Sequence, residues 1–132
     1  MVDTSAWVEM LRGRPHPAAA RLKELIASRR DLAITDTVFM EVLAGVPSAE
    51  ALARVRSQLV GLPILRLEGL HDFEEAARIY RTCRAAGSTL GSQVDCLIAV
   101  VAIRHDASLL HNDHDFETIA RHTPLKLEPL RA

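Results

Sequence analysis

The strongest constraint on this chain is the period of its hydrophobic pattern. Short apolar runs bounded by polar or turn residues alternate with longer stretches in which apolar residues recur every three or four positions. The short runs read as buried strands at residues 1–2, 32–34, 64–67, 108–110 and 125–127. The longer stretches predict helices over residues 5–12, 17–28, 37–45, 48–59, 70–86, 93–104 and 116–121. Such alternation implies an α/β fold, with a small, mostly parallel sheet and helices on both faces. At 132 residues the chain has the length of one domain, and we expect a single unit over residues 1–132 with no repeat and no linker. Gly87 falls just past the long helix, so residues 87–92 form the expected loop, and a mobile one.

Charge narrows the function classes. Lys plus Arg number 16 against 17 Asp plus Glu, for a net charge of -1, so bulk positive charge cannot be what holds a polyanion here. The cations are nearly all Arg, with Lys only at Lys23 and Lys126, and Arg can fork onto phosphate oxygens locally. Cys83 and Cys96 form neither a disulfide framework nor a CxxC pair, and read as reduced core residues. The longest apolar run, residues 96–103, is far too short for a membrane span, and no signal stretch opens the chain. A cytoplasmic protein without membrane association is the expectation.

Five carboxylates stand at junctions between elements. Asp3 closes the first strand, Glu41 lies early in a helix, Asp95 opens one, and Asp113 and Asp115 follow the strand ending at Leu110. Each alone has a local explanation. Asp3 and Asp113 are placed as helix N-caps, and Ser92-Gln93-Val94-Asp95 fits a capping box with Asp95 as the third helical residue. Glu41 lies beyond the capping positions, on the flank of the stripe Val38, Phe39, Val42 and Leu43, where a solvated residue is the plain reading. Joint placement argues for more. Ligands of open α/β sheets bind at the carboxyl ends of the strands, where Asp3, Asp113 and Asp115 fall. Several carboxylates in one cleft must take up protons or hold a cation, and an all-oxygen set without Cys suits Mg²⁺ or Mn²⁺, as one ion or two.

These residues also carry a resemblance. Val2-Asp3-Thr4-Ser5-Ala6-Trp7, Glu41 within Thr37-Val38-Phe39-Met40-Glu41-Val42, Asp95 within Val94-Asp95-Cys96-Leu97-Ile98-Ala99, and Asp113-His114-Asp115-Phe116 resemble, in order and spacing, the motifs of PIN-domain ribonucleases. Within that family the VapC-like toxins of type II toxin-antitoxin systems are most similar. The resemblance covers essentially the whole chain. It implies a three-layer α/β/α PIN domain, metal-dependent endoribonuclease activity leaving 5′-phosphate and 3′-hydroxyl ends, an antitoxin whose tail occupies the acidic cleft, and a homodimer. Asp3, Asp95 and Asp113 match the family's metal-binding aspartates, and Glu41 matches the acid of its second motif. Asp115 matches an additional aspartate, as direct ligand or as an orienter of one. Ser5 matches a small hydroxyl residue that holds the Asp3 carboxylate or a water, with an N-terminal helix cap as the alternative.

Two departures from the family pattern stand out. Only Met1 and Val2 precede Asp3, which leaves the pairing of the first strand open. Leu110-His111-Asn112 stands where the family often has Thr-Arg, removing a small hydroxyl and a cation. His111 and His114 read as rim residues or hydrogen-bond partners more readily than as ligands. Trp7 belongs to the core or to a dimer face together with Val8 and Leu11, with Val38 and Val42 nearby. Arg81, Arg84 and Arg104 border the 87–92 loop, either as solvated helix charges or as phosphate contacts. Two other classes compete with an RNA-cleaving enzyme. One is a noncatalytic module whose acidic pocket grips a basic partner. The other is a Mg²⁺-binding receiver-type signalling domain, disfavoured because Asp3 is single, no Asp ends the third strand, and Lys126 lies inside its strand.

Overall fold

The computed structural model describes residues 1–130. The elements run α1 (Thr4–Arg12), α2 (Pro17–Ala27), β1 (Ile34–Thr35), α3 (Asp36–Ala44), α4 (Ala49–Val60), β2 (Ile64–Leu65), α5 (Gly69–Ala85), α6 (Val94–Arg104), β3 (Ser108–Leu109), α7 (His114–His122) and β4 (Lys126–Leu127). β1 pairs parallel with β2, Ile34 opposite Ile64, and β3 pairs parallel with β4, Ser108 opposite Lys126. Residues 1–3 join these two ladders. The Val2 amide donates to the Ala33 carbonyl (3.0 Å) on one side, while on the other the Asp3 amide donates to Leu110 and the Leu110 amide to Met1, both at 2.9 Å. The spatial order is therefore β2, β1, residues 1–3, β3, β4. Short as it is, the first segment is paired on both sides, which resolves the question its length raised.

The strands are shorter than the apolar runs predict, because the chain leaves each ladder early. Past Leu65 the Leu67 amide turns to the Asp36 carboxylate (3.4 Å). The Leu125 amide donates to the Thr123 hydroxyl (3.2 Å) before β4 begins. Helices α2 and α3 each pack on α1, and α5, α6 and α7 pack on one another, giving the α/β/α arrangement. Helix α6 is apolar on nearly every side, with Cys96, Ile98, Ala99, Val100, Val101 and Ala102 all buried, the signature of a helix enclosed by the fold. Around it Val2, Ile34, Leu109, Leu110, Phe116 and Ile119 are at most 1% exposed, and each such side chain contributes roughly 1.5–3 kcal/mol of burial free energy. Trp7, Val38 and Val42 are likewise buried in this core. Of the apolar face expected to serve a second copy, only Leu11 is substantially exposed and Val8 partly so. Among the described residues, no helix is long and apolar enough to cross a membrane.

Helix ends follow the local sequence with one exception. At the end of α5 the Gly87 amide donates to Arg84 and the Ser88 amide to Cys83, a turn that needs the positive φ of Gly87 (91°). The capping box over residues 92–95 does not form. Gln93 is the N-cap of α6, and the Ser92 hydroxyl accepts from the Val94 amide (3.1 Å) instead of the Asp95 amide. Residue 93 already has helical dihedrals, so the hydroxyl of Ser92 meets the turn one residue too early. The carboxylate of Asp95 has no capping work to do.

Candidate metal centre

Asp3 and Asp113 sit where chain segments leave the sheet, Asp115 follows in the first turn of α7, Glu41 lies within α3 and Asp95 in the first turn of α6. Asp3 ends the central segment and caps α1, its Oδ2 accepting from the Ser5 amide (3.0 Å) and the Ser5 hydroxyl (2.6 Å). The Ser5 hydroxyl in turn accepts from the Asn112 amide (2.8 Å), 107 residues away in sequence. Ser5 therefore does hold the Asp3 carboxylate, and it also ties the first strand to the loop before α7. Asp113 caps α7 by accepting from the Asp115 amide (2.9 Å). Both expected N-caps form, and each uses only one oxygen of its carboxylate.

Three of the acids converge. Asp95, Asp113 and Asp115 each offer a carboxylate oxygen within 4.8 Å of the others, a span close to the roughly 4 Å between opposite ligands of a Mg²⁺ or Mn²⁺ octahedron. Among the described residues this is the sole group of three or more His, Cys, Asp or Glu with that geometry. Asp3 and Glu41 lie outside that tight trio but within its electrostatic reach, since the charges of both act on Asp95. Asp3 Oδ1 is buried and has no hydrogen-bond partner, a costly state for a carboxylate oxygen. Glu41 accepts from the Thr4 hydroxyl (2.8 Å) and is half-buried, so it is not a freely solvated helix residue.

Protonation reflects that crowding. Burial first, then repulsion from Asp113, Asp3, Asp115 and Glu41, pushes Asp95 up to about 8. No hydrogen bond reaches its carboxylate among the described residues. Burial also raises Asp3, against the opposing pull of the Ser5 and Thr4 donors and with Asp113 adding repulsion. Glu41 rises for the same leading reason, opposed by the Thr4 hydroxyl and reinforced by Asp3. A cluster in which carboxylates are forced toward the neutral acid, one oxygen is orphaned, and three ligands already converge fits a divalent cation.

Several neighbours shape the site without being acids. The Gly91 amide donates to Asp115 Oδ2 (2.8 Å), and a Cβ on Gly91 would stand 3.2 Å from that oxygen. Thr4 and Gly91 were not among the residues singled out from sequence. Thr4 adjoins Asp3 in the first motif, whereas no local signal links a loop glycine to an aspartate 24 positions on. His111 accepts through Nδ1 from the Asp113 amide (3.1 Å), packs on Phe116, and is lowered in pKa chiefly by burial. His114 is exposed and pairs with Glu117 (2.8 Å). Both are partners or rim residues, as their setting in the sequence suggested. Arg104 is committed to Asp72, Glu68 and the Arg66 carbonyl, which removes it from the candidates for phosphate contact.

With that geometry in place, similarities to known proteins become informative. The PIN domain pattern matches residues 1–122. "VapC ribonuclease Mb1587" of Mycobacterium bovis is 39% identical over 132 residues, covering 99% of this chain and 98% of that protein. "Ribonuclease VapC19" of Mycobacterium tuberculosis is 36% identical over 131 residues, covering 95% and 92%. Among solved structures, VapBC2 from Rickettsia felis bound to a DNA fragment from their promoter matches with a TM-score of 0.74 at 24% identity, covering 97% of this chain and 96% of that one. VapBC-1 from nontypeable Haemophilus influenzae matches with a TM-score of 0.70 at 21% identity, covering 97% and 95%. At those identities the two structures speak to the fold.

Proposed function

The chain belongs to the PIN domain family, and on that premise we propose that it is a metal-dependent endoribonuclease, the toxin of a toxin-antitoxin pair. The observation that carries this reading is the convergence of Asp95, Asp113 and Asp115 at the carboxyl end of the sheet, in a chain so similar over its length to VapC ribonucleases. The trio would hold Mg²⁺ or Mn²⁺, with the orphaned Asp3 oxygen and Glu41 completing the acidic wall. When bound, such an ion supplies a lowered pKa to water and shields phosphate charge. The chain's own part is positioning. Ser5 fixes Asp3, Thr4 fixes Glu41, and the Gly91 amide fixes Asp115, so the ligands are held before substrate arrives. Asp95 at about 8 is largely the neutral acid at pH 7 and must give up its proton when a cation enters. The Ser5 hydroxyl is engaged with Asp3 and the Asn112 amide, and in this reading the attacking group is water.

Partners follow from the same reading. An antitoxin tail would block the site by forking an Arg onto Asp3 or Asp95, and a homodimer would use surfaces outside the core that Trp7, Val38 and Val42 fill. The test is cleavage of purified RNA with Mg²⁺ or Mn²⁺, with and without excess EDTA, on wild type and Asp113→Asn. Cleavage should require the metal and fall by orders of magnitude in the variant. Undiminished cleavage in EDTA sinks the proposal, and so does tight Mn²⁺ binding with no cleavage of any RNA, which would favour the acidic-pocket binding module.

A further inference from the structure

Beside the acidic centre lies a groove of about 490 Å³ between α5 and α6, lined by Phe73, Tyr80, Arg81, Arg84, Gln93, Val94 and Leu97 among others. Its α5 wall repeats along one helix face at 73, 77, 80, 81 and 84. Its other wall includes Gln93 and Val94, the two residues before Asp95, which brings that end of the groove near the acidic centre. The lining contains two guanidinium groups and no carboxylate. Neither Arg81 nor Arg84 makes an ion pair among the described residues, in contrast to Arg78 and Arg104 on the same two helices, which pair with Glu75 and Asp72. Arg84 instead lies over the Tyr80 ring, 5.9 Å from its centroid, and Phe73 is 50% exposed.

Unpaired guanidiniums beside accessible aromatic faces, on a protein of net charge -1, are the chemistry of a single-stranded polyanion with stacking bases. We propose that this groove holds the RNA strand flanking the scissile phosphate, Arg81 and Arg84 pairing with its phosphates and Tyr80 and Phe73 stacking on its bases. The inference rests on the ribonuclease reading above and names where that substrate lies. It also answers how a weakly acidic protein with an acidic centre attracts RNA: two unpaired guanidiniums line one groove that carries no carboxylate.

The experiment compares wild type, Arg81→Gln/Arg84→Gln and Arg81→Lys/Arg84→Lys. It measures Mn²⁺-dependent cleavage of a 20-nucleotide single-stranded RNA of mixed sequence, and the salt dependence of its binding by fluorescence anisotropy in EDTA. Each lost phosphate contact flattens the log–log salt slope by about 0.7, so the Gln variant should lose about 1.4. Its KM should rise about tenfold, with kcat and the Mn²⁺-induced melting shift unchanged, and the Lys variant should recover the slope. Unchanged KM and slope in the Gln variant, with wild type active, overturn the groove and leave the ribonuclease reading standing. A change of oligomeric state in the Gln variant without a change in RNA binding also overturns it, and assigns the groove to a protein interface. Failure of wild type to cleave any RNA with Mn²⁺ removes the underlying reading instead.

Discussion

Replacing Asp95 by Asn separates a structural carboxylate from a metal-binding one, because the two readings predict opposite signs. Without a cation, Asp95 is shifted from an unfolded value near 4 to about 8 by burial and by four neighbouring acids. A raised carboxyl pKa means that folding favours the protonated form. Its cost is therefore absent below pH 4, grows as the pH rises, and levels off above pH 8. Each pH unit in that window costs about 1.4 kcal/mol, so at pH 7 the ceiling is roughly 4 kcal/mol. Asn has nearly the same shape and no charge to bury. The metal-free variant should then match wild type near pH 5 and melt higher at pH 7 to 8. For a domain of this size each kcal/mol shifts the melting temperature by about 3–5 °C, which gives a ceiling of about 10–20 °C at pH 7. Mn²⁺ should reverse the order, since a ligand bound only by the folded state stabilises by RT ln(1 + [L]/Kd) and the variant lacks one of three converging ligands. The assay is thermal unfolding of both proteins from pH 5 to 8, in EDTA and in Mn²⁺. Parallel pH profiles, with the variant lower by a constant amount and the same Mn²⁺ shift in both, would refute the reasoning and make Asp95 a structural helix residue.

Three further outcomes are expected. Asp3→Asn keeps an N-cap of similar quality, so stability should change by only a few tenths of a kcal/mol while RNA cleavage falls by orders of magnitude; retained cleavage would reduce Asp3 to a cap. Gly91→Ala places a Cβ 3.2 Å from Asp115 Oδ2 on a backbone that L residues adopt freely, so folding stability should hold within about 1 kcal/mol while the Mn²⁺ concentration needed for half-maximal melting shift rises several-fold. Arg104→Ala strips the charged partner from Asp72, which is 1% exposed and keeps only the Glu68 amide as donor; unfolding by urea should reveal a loss of about 2–4 kcal/mol at pH 7. Burial is the largest single influence and would raise Asp72, but the Arg104 and Glu68 hydrogen bonds together with the charges of Arg104 and His71 outweigh it, and the net shift is downward. The contribution of that pair is thus present above pH 4 and fades as pH falls through the folded value, so the two proteins should converge in acid.

Short-range features of this molecule were legible in the order of its residues. Hydrophobic period distinguishes strands from helices because each has its own repeat, and N-caps at Asp3 and Asp113 follow from bonds spanning two residues. Asp3, Asp113 and Asp115 could be chosen because strand ends in a parallel sheet fall on one edge, and Glu41 and Asp95 because their motifs resemble those of PIN-domain ribonucleases. At the capping box over residues 92–95, which does not form, one residue's dihedrals decide which amide the Ser92 hydroxyl meets. What only the tertiary structure decided is how the acids are held and what surrounds them. The Ser5–Asn112 bond spans 107 residues, Thr4–Glu41 spans 37 and Gly91–Asp115 spans 24. No local repeat encodes such pairs. The burial of Trp7 and Val38, the orphaned oxygen of Asp3 and the missing donor at Asp95 arise likewise when separate segments close on one another. A carboxylate's proton affinity is set by the water it loses and the charges brought near it, and both are properties of the packed chain.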